Sequence, residues 1–134
     1  MTRFLVDTSV SVPLILSSHP SHIEVTRSLG RRKLFLAGHA GVETYAVLTR
    51  LPGDARLSAS DAHCLIVDRF VGIATPPDPV EALVRLSEVG IVGGATYDGF
   101  VALSVGPGDR LISRDLRATA TYARVGVPLE LLAS

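Results

Sequence analysis

The sequence has no tryptophan, one cysteine, one lysine and no excess charge of either sign, and each shortage removes a class of protein. A lone cysteine, Cys64, cannot form an internal disulfide, so a disulfide-stapled secreted scaffold is excluded and a reducing, cytoplasmic setting is expected. Thirteen basic and thirteen acidic residues cancel. No global field then draws the chain to nucleic acid, and any phosphate contact has to be local. Long hydrophobic runs are missing as well. The longest, VSVPLIL, contains Pro13 and falls far short of the roughly 20 residues a membrane helix needs. A signal peptide is not expected, because Asp7 stands where its apolar region belongs. Lys33 lies in the second strand-like segment rather than late in the chain, which argues against a receiver-like or phosphatase domain using Asp7 as nucleophile.

What is present points to a folded enzyme-sized unit. A chain of 134 residues, 47% hydrophobic and 19% charged, is expected to form one domain over 1–134 with a real core. That apolar content is high for a small domain, leaving some to face a partner. Strand-like and helix-like segments alternate. RFLV (3–6), KLFLA (33–37), VGIAT, RLIS (110–113) and the edge segment PLELL read as strands. SVSVPLILS, with Pro13 near its first turn, SHIEVTRSLGR, GVETYAVLTRL (41–51), SASDAHCLIVDRF, VEALVRLSEVG, a segment from Thr96 and RDLRATATYARVG read as helices. Pro52-Gly53, PPDP and GPGD break them. This alternation predicts an α/β fold: a parallel sheet of about five strands with helices on both faces. Ligands of such sheets bind beyond the carboxyl ends of the strands.

That rule sorts the acids. Asp54, Asp78 and Asp109 lie in Pro/Gly turns, and Glu24, Asp61, Asp68, Glu81 and Glu88 read as solvated helix faces, with Glu130 near the terminus. Four remain. Asp7 ends the first strand in FLVDTSV, Glu43 follows the second beside an apolar YAVL run, Asp98 opens a helix after Gly93-Gly94, and Asp115 follows RLIS. Singly, Asp7, Asp98 and Asp115 are also good helix caps. Together, acids after different strands of one parallel sheet can meet at its carboxyl edge. Convergent carboxylates repel, and a hard divalent cation such as Mg2+ or Mn2+ relieves the repulsion with one or two direct ligands plus water. Such an ion supports phosphodiester hydrolysis.

Four segments, FLVDTSV, GVETYAVLTRL, GGATYDGFVAL and LISRDLRATATYARVGV, resemble in order and spacing the acidic motifs of PIN domains, with VETYAVLTRLP and TYD similar to the VapC toxins of VapBC toxin–antitoxin pairs. The resemblance spans nearly the whole chain. It implies a PIN-like fold and a cytoplasmic, metal-dependent endoribonuclease that cuts structured RNA (tRNA or rRNA) and arrests translation. It also implies a homodimer and a small VapB-type antitoxin partner; with no run long enough to span a bilayer, no membrane association is expected. Carried over by position, Asp7, Glu43, Asp98 and Asp115 are the catalytic acids and Asp7, Asp98 and Asp115 the Mg2+ (or Mn2+) ligands. Thr8, Ser113 and Arg114 fall at the pocket. The competing reading is a catalytically silent PIN-like module that binds RNA or protein. In this chain SVGPGD shortens the helix after the third acid, and Gly99 stands where a stronger helix former is usual.

The remaining polar residues form no rival motif. His19, His22, His39 and His63 make no zinc signature, though His39 lies one helical turn before Glu43. Ser9 and Ser113 have no paired histidine motif, which argues against a serine hydrolase. Cys64, within CLIV, is expected to pack in the core. Arg50, Arg114 and Arg117 are candidates for phosphate contact. No RNP-type aromatic motif is present, so RNA recognition by shape and local phosphates is expected. The helices carrying SVPLIL and CLIVDRF offer dimer or antitoxin surface beyond their core contacts.

Overall fold

Apolar segments too short for helices, each closed off by a polar or glycine-containing turn, become five parallel strands in the computed structural model, which describes residues 2–133. They are β1 (Phe4–Val6), β2 (Leu34–Ala37), β3 (Gly72–Ala74), β4 (Arg110–Ser113) and β5 (Leu129–Leu131), in the order β3-β2-β1-β4-β5. Val6 lies level with Leu36 on one side and Ile112 on the other, and Glu130 lies level with Ile112. The chain therefore builds one half of the sheet outward from β1, then returns to build the other. The reversal leaves a crevice beyond the carboxyl ends of β1 and β4.

Among the described residues, seven α-helices connect the strands: α1 (Thr8–Ile15), α2 (His22–Leu29), α3 (His39–Thr49), α4 (Ala59–Arg69), α5 (Pro79–Glu88), α6 (Ala95–Ala102) and α7 (Thr119–Val125). Side chains of a strand alternate between faces, and the core divides accordingly. Val6, Leu34, Leu36 and Ile112 meet Val10, Leu14, Val25, Leu29, Leu48 and Ile66 on one face. Leu5, Ala37 and Leu111 meet Ala40, Val101, Ala102, Ala118 and Tyr122 on the other. Asp7 has the parity of Leu5 and Ser113 that of Leu111. The strand continuations thus aim both polar side chains at the Tyr122 face.

Several expectations change in the structure. Pro13 lies inside α1 beyond its first turn. It has no N–H to give to Ser9 O, and that carbonyl instead accepts from Arg114 Nη1 at 3.3 Å. The helix expected over 114–126 is interrupted: Leu116–Ala118 form a 3₁₀ turn, with Asp115 accepting from Arg117 N at 2.9 Å, before α7 begins. Cys64 is exposed, because α4 buries only Ala62 and Ile66. SVPLIL packs inward, as its apolar content suggests: Ser11, Pro13 and Leu14 are buried, and Ile15 and Leu16 pack against the core. Helix α3 starts at His39, ahead of the expected Gly41, after Gly38 at φ +37°, where the Ser104 side chain leaves no room for a Cβ.

Two acids set aside on sequence bind arginines that lie just ahead of β1 and β2. Asp109 does more than turn chemistry: it is buried, and Arg3 donates to it from Nε (2.9 Å) and Nη2 (2.7 Å). Glu130 likewise receives Arg32 Nη1 (2.7 Å) and Nη2 (2.9 Å). Asp78 caps α5, accepting from Glu81 N at 3.2 Å.

Candidate functional site

Asp7 combines the two roles the sequence left open. It caps α1, with Oδ1 accepting from Ser9 N at 3.1 Å, and it is buried, at 5% exposure. Oδ1 also accepts from Ser9 Oγ at 2.5 Å. On Oδ2, Ser113 Oγ donates at 2.5 Å and Tyr122 Oη at 2.7 Å. A carboxylate has about four acceptor sites, and all are engaged. Burial nevertheless raises the Asp7 pKa above the ordinary carboxylate range, opposed by the Ser113, Ser9 and Tyr122 hydrogen bonds and reinforced by the Asp115 charge. Burial and the Asp7 charge push the Tyr122 phenol far up, so it stays protonated and donates.

Ser113 links two acids, since it also accepts from Asp115 N at 3.0 Å. The early break at GPGD has not carried Asp115 away, because its charge acts on both Asp7 and Asp98. Arg114 does not extend freely toward the crevice. Its backbone N donates to Ser9 Oγ at 2.8 Å, Nη1 to Ser9 O, and Nη2 to Ser21 Oγ at 2.9 Å. It clamps the β4 end to α1, while Arg50 and Arg117 are exposed.

Glu43 is half-buried on α3, where Thr8 Oγ1 donates to Oε2 at 3.2 Å and His39 Nε2 stands 3.1 Å from Oε1. Asp98 sits in the first turn of α6. Burial first, then the charges of Asp115, Asp7 and Glu43, push its pKa up to about 6. The acids that follow β1 and β4 and the one on α3 therefore all act on the α6 carboxyl. Gly99 does not loosen this turn: it is buried, and a Cβ there would stand 2.6 Å from Leu86 Cδ2. The glycine is what lets α6 close on α5.

Oxygen donors with unneutralised negative charge suit a hard divalent cation. Among the described residues, no three Asp, Glu, His or Cys side chains already form a ligand set, and Asp7 has its lone pairs occupied. The donor set thus fits a hydrated ion held by few direct carboxylates, with Asp98 and Asp115 the freer ligands. Sequence reasoning missed Tyr122 and Ser9. Ser9 carried a weak signal, a hydroxyl two residues after a strand-end acid; Tyr122, inside TATYARV, carried none. Among the described residues, no helix is long and apolar enough to cross a membrane.

No family model matches the chain. Curated relatives do. Ribonuclease VapC27 of Mycobacterium tuberculosis is 43% identical over 125 residues, covering 91% of this chain and 91% of that protein. Ribonuclease VapC40 of the same species is 38% identical over 130 residues, covering 94% and 96%. Among solved structures, VapBC2 from Rickettsia felis bound to a promoter DNA fragment superposes with a TM-score of 0.59 at 12% identity, covering 98% of this chain and 99% of that one. FitAcB from Neisseria gonorrhoeae gives 0.58 at 17% identity, covering 94% and 95%. The two structures share the fold, and identity of this extent to both curated proteins establishes descent: the chain belongs to the VapC ribonuclease family.

Proposed function

We propose that this protein is the toxin of a toxin–antitoxin pair, an endoribonuclease that hydrolyses phosphodiester bonds in structured RNA with Mg2+ or Mn2+ at the Asp7, Glu43, Asp98 and Asp115 cluster. The observation that carries the reading is the Asp98 carboxyl, whose pKa is raised by burial and then by the charges of Asp115, Asp7 and Glu43. Acids gathered around a half-buried carboxyl suit a hard cation. Family membership supports ribonuclease activity, and the named VapBC structure supports an antitoxin partner.

A bound divalent ion would lower the pKa of a coordinated water and stabilise charge on a phosphoryl oxygen. Asp98 and Asp115 hold it in this reading. Asp7 anchors the site from beneath, its orientation set by Ser9, Ser113 and Tyr122. Glu43, held by Thr8 and His39, would take a proton from the attacking water in this reading. Arg50 and Arg117, both exposed, are available to the RNA backbone. Partner chains, a second copy and a small VapB-type antitoxin, have apolar surface available on α5, where Val80, Leu83 and Val84 are exposed. In keeping with the family, the protein acts in the cytoplasm.

The test is cleavage of total tRNA and rRNA by wild type and by Asp98→Asn and Asp115→Asn, with Mg2+, Mn2+ or chelator. Cleavage that needs the ion and both acids is expected. Cleavage retained in both folded variants would remove the assignment and favour a site elsewhere. A fully inactive wild type that binds RNA without metal would favour the silent binding module.

A further inference from the structure

We propose that Tyr97, backed by His39, is a stacking platform for one unpaired nucleobase beside the acid cluster, an inference that rests on the proposed action on RNA. Tyr97 is 64% exposed, against 39% for Tyr45 and 1% for Tyr122. An exposed tyrosine is ordinarily mobile, but this ring is held. The His39 imidazole lies nearly parallel to it, with centroids 6.1 Å apart and 20° between planes. His39 is fixed in turn by the edge of Phe100, at 5.6 Å and 85°, and by Glu43 Oε1 at 3.1 Å from Nε2. Tyr97 and Phe100 lie three residues apart on α6, and His39 opens α3.

The position gives the aromatic group a use. Tyr97 directly precedes Asp98, and His39 touches both Tyr97 and Glu43. The platform is therefore joined to Glu43 through His39 and to Asp98 along α6, which sets a stacked base beside the acids. Bases offer their faces only when unpaired, so a ring here selects a loop or single-stranded nucleotide at the cut site. A tyrosine serving only to pack would bury its ring, and this one does not.

The test needs no cleavage and so stands apart from the nuclease reading. Adenosine 5′-monophosphate is titrated into wild type, Tyr97→Phe, Tyr97→Ala and His39→Ala, with ribose 5-phosphate as the base-free control. Tyrosine ring protons are followed by NMR. Saturable upfield movement of the Tyr97 ring with the nucleotide and none with ribose 5-phosphate is expected. Tyr97→Ala should weaken nucleotide binding about tenfold, while Tyr97→Phe stays within about twofold. Binding of ribose 5-phosphate should not change. His39→Ala should fall between them. Equal nucleotide affinity in wild type and folded Tyr97→Ala, equal responses to both probes, or no binding overturns the platform. Inactivity of wild type on RNA, with stacking intact, would instead overturn the nuclease.

Discussion

Tyr122 donates its phenolic hydrogen to Asp7 Oδ2 at 2.7 Å, joining residues 115 positions apart. The bond ties α7 to the end of β1 and fills the fourth acceptor site of a buried carboxylate. Removing it raises the Asp7 pKa as well as disturbing the packing. Tyr122→Phe is expected to cost about 1–3 kcal/mol of stability, the range for leaving a buried acceptor short of a donor. The acid limb of the pH–rate profile should move to higher pH, because a lost hydrogen bond to the charged form raises the Asp7 pKa further. A denaturant melt and a kcat/KM profile check both; an unmoved limb would leave Tyr122 a packing residue.

Without a divalent ion, Asp98 is expected to make the protein less stable at neutral pH. Its folded pKa of about 6 exceeds the ordinary 3.8. The folded state therefore binds this proton more tightly than the unfolded one, and stability falls as pH rises from about 4 to about 6. Asp98→Asn in chelator should melt above wild type at pH 7.5, with the difference vanishing below about pH 4. Thermal scans across that range decide; a variant less stable at pH 7.5 contradicts the repulsion.

Divalent ions should reverse the order. Mg2+ or Mn2+ at ten times its Kd is expected to stabilise wild type by about 1.4 kcal/mol through linkage. Asp98→Asn and Asp115→Asn should show little shift, as should wild type at pH 4.5, where protons compete for the same oxygens. Thermal shift with Mg2+ against Ca2+ and chelator measures this.

Gly99→Ala opposes helix propensity to packing. Alanine alone gains about 1 kcal/mol in a helix interior. Here its Cβ meets Leu86 Cδ2 at 2.6 Å and Ile91 Cγ2 at 3.2 Å. Overpacking costs about 1–3 kcal/mol, so a net loss is expected, with cleavage falling as α6 and Asp98 shift. A stabilised, fully active variant would show that the helix gives way easily.

Asp109 serves as a control at the opposite edge of the sheet. Arg3 holds its carboxyl below the ordinary range, so its contribution is present above about pH 4 and lost as pH falls through the lowered value. Asp109→Asn should lower the melting temperature at pH 7, converge with wild type in acid, and leave cleavage per folded molecule unchanged. Reduced activity in fully folded protein would mean that the amino edge reaches the site.

Much of this molecule was legible as sequence. The five strands are near where period and breakers put them, because short apolar runs between turn residues have few other uses. The PLELL edge strand, Leu129–Leu131, is one such case. The break at Leu116–Ala118 was not legible: a cap at Asp115 outweighs the helical pattern around it. Nor was the burial of Asp109, whose partner Arg3 is 106 residues away.

The amino-acid order alone determined the alternating α/β architecture and the placing of Asp7 and Asp115 just past strand ends, because periodicity and capping are local properties. Only the tertiary structure decided the strand order β3-β2-β1-β4-β5, which sets β1 beside β4. That adjacency brings Ser113 and Tyr122 onto Asp7 and the charges of Asp7, Glu43 and Asp115 onto Asp98. Hydrogen bonds and Coulomb forces act over a few ångströms of space, whatever the length of chain between the groups.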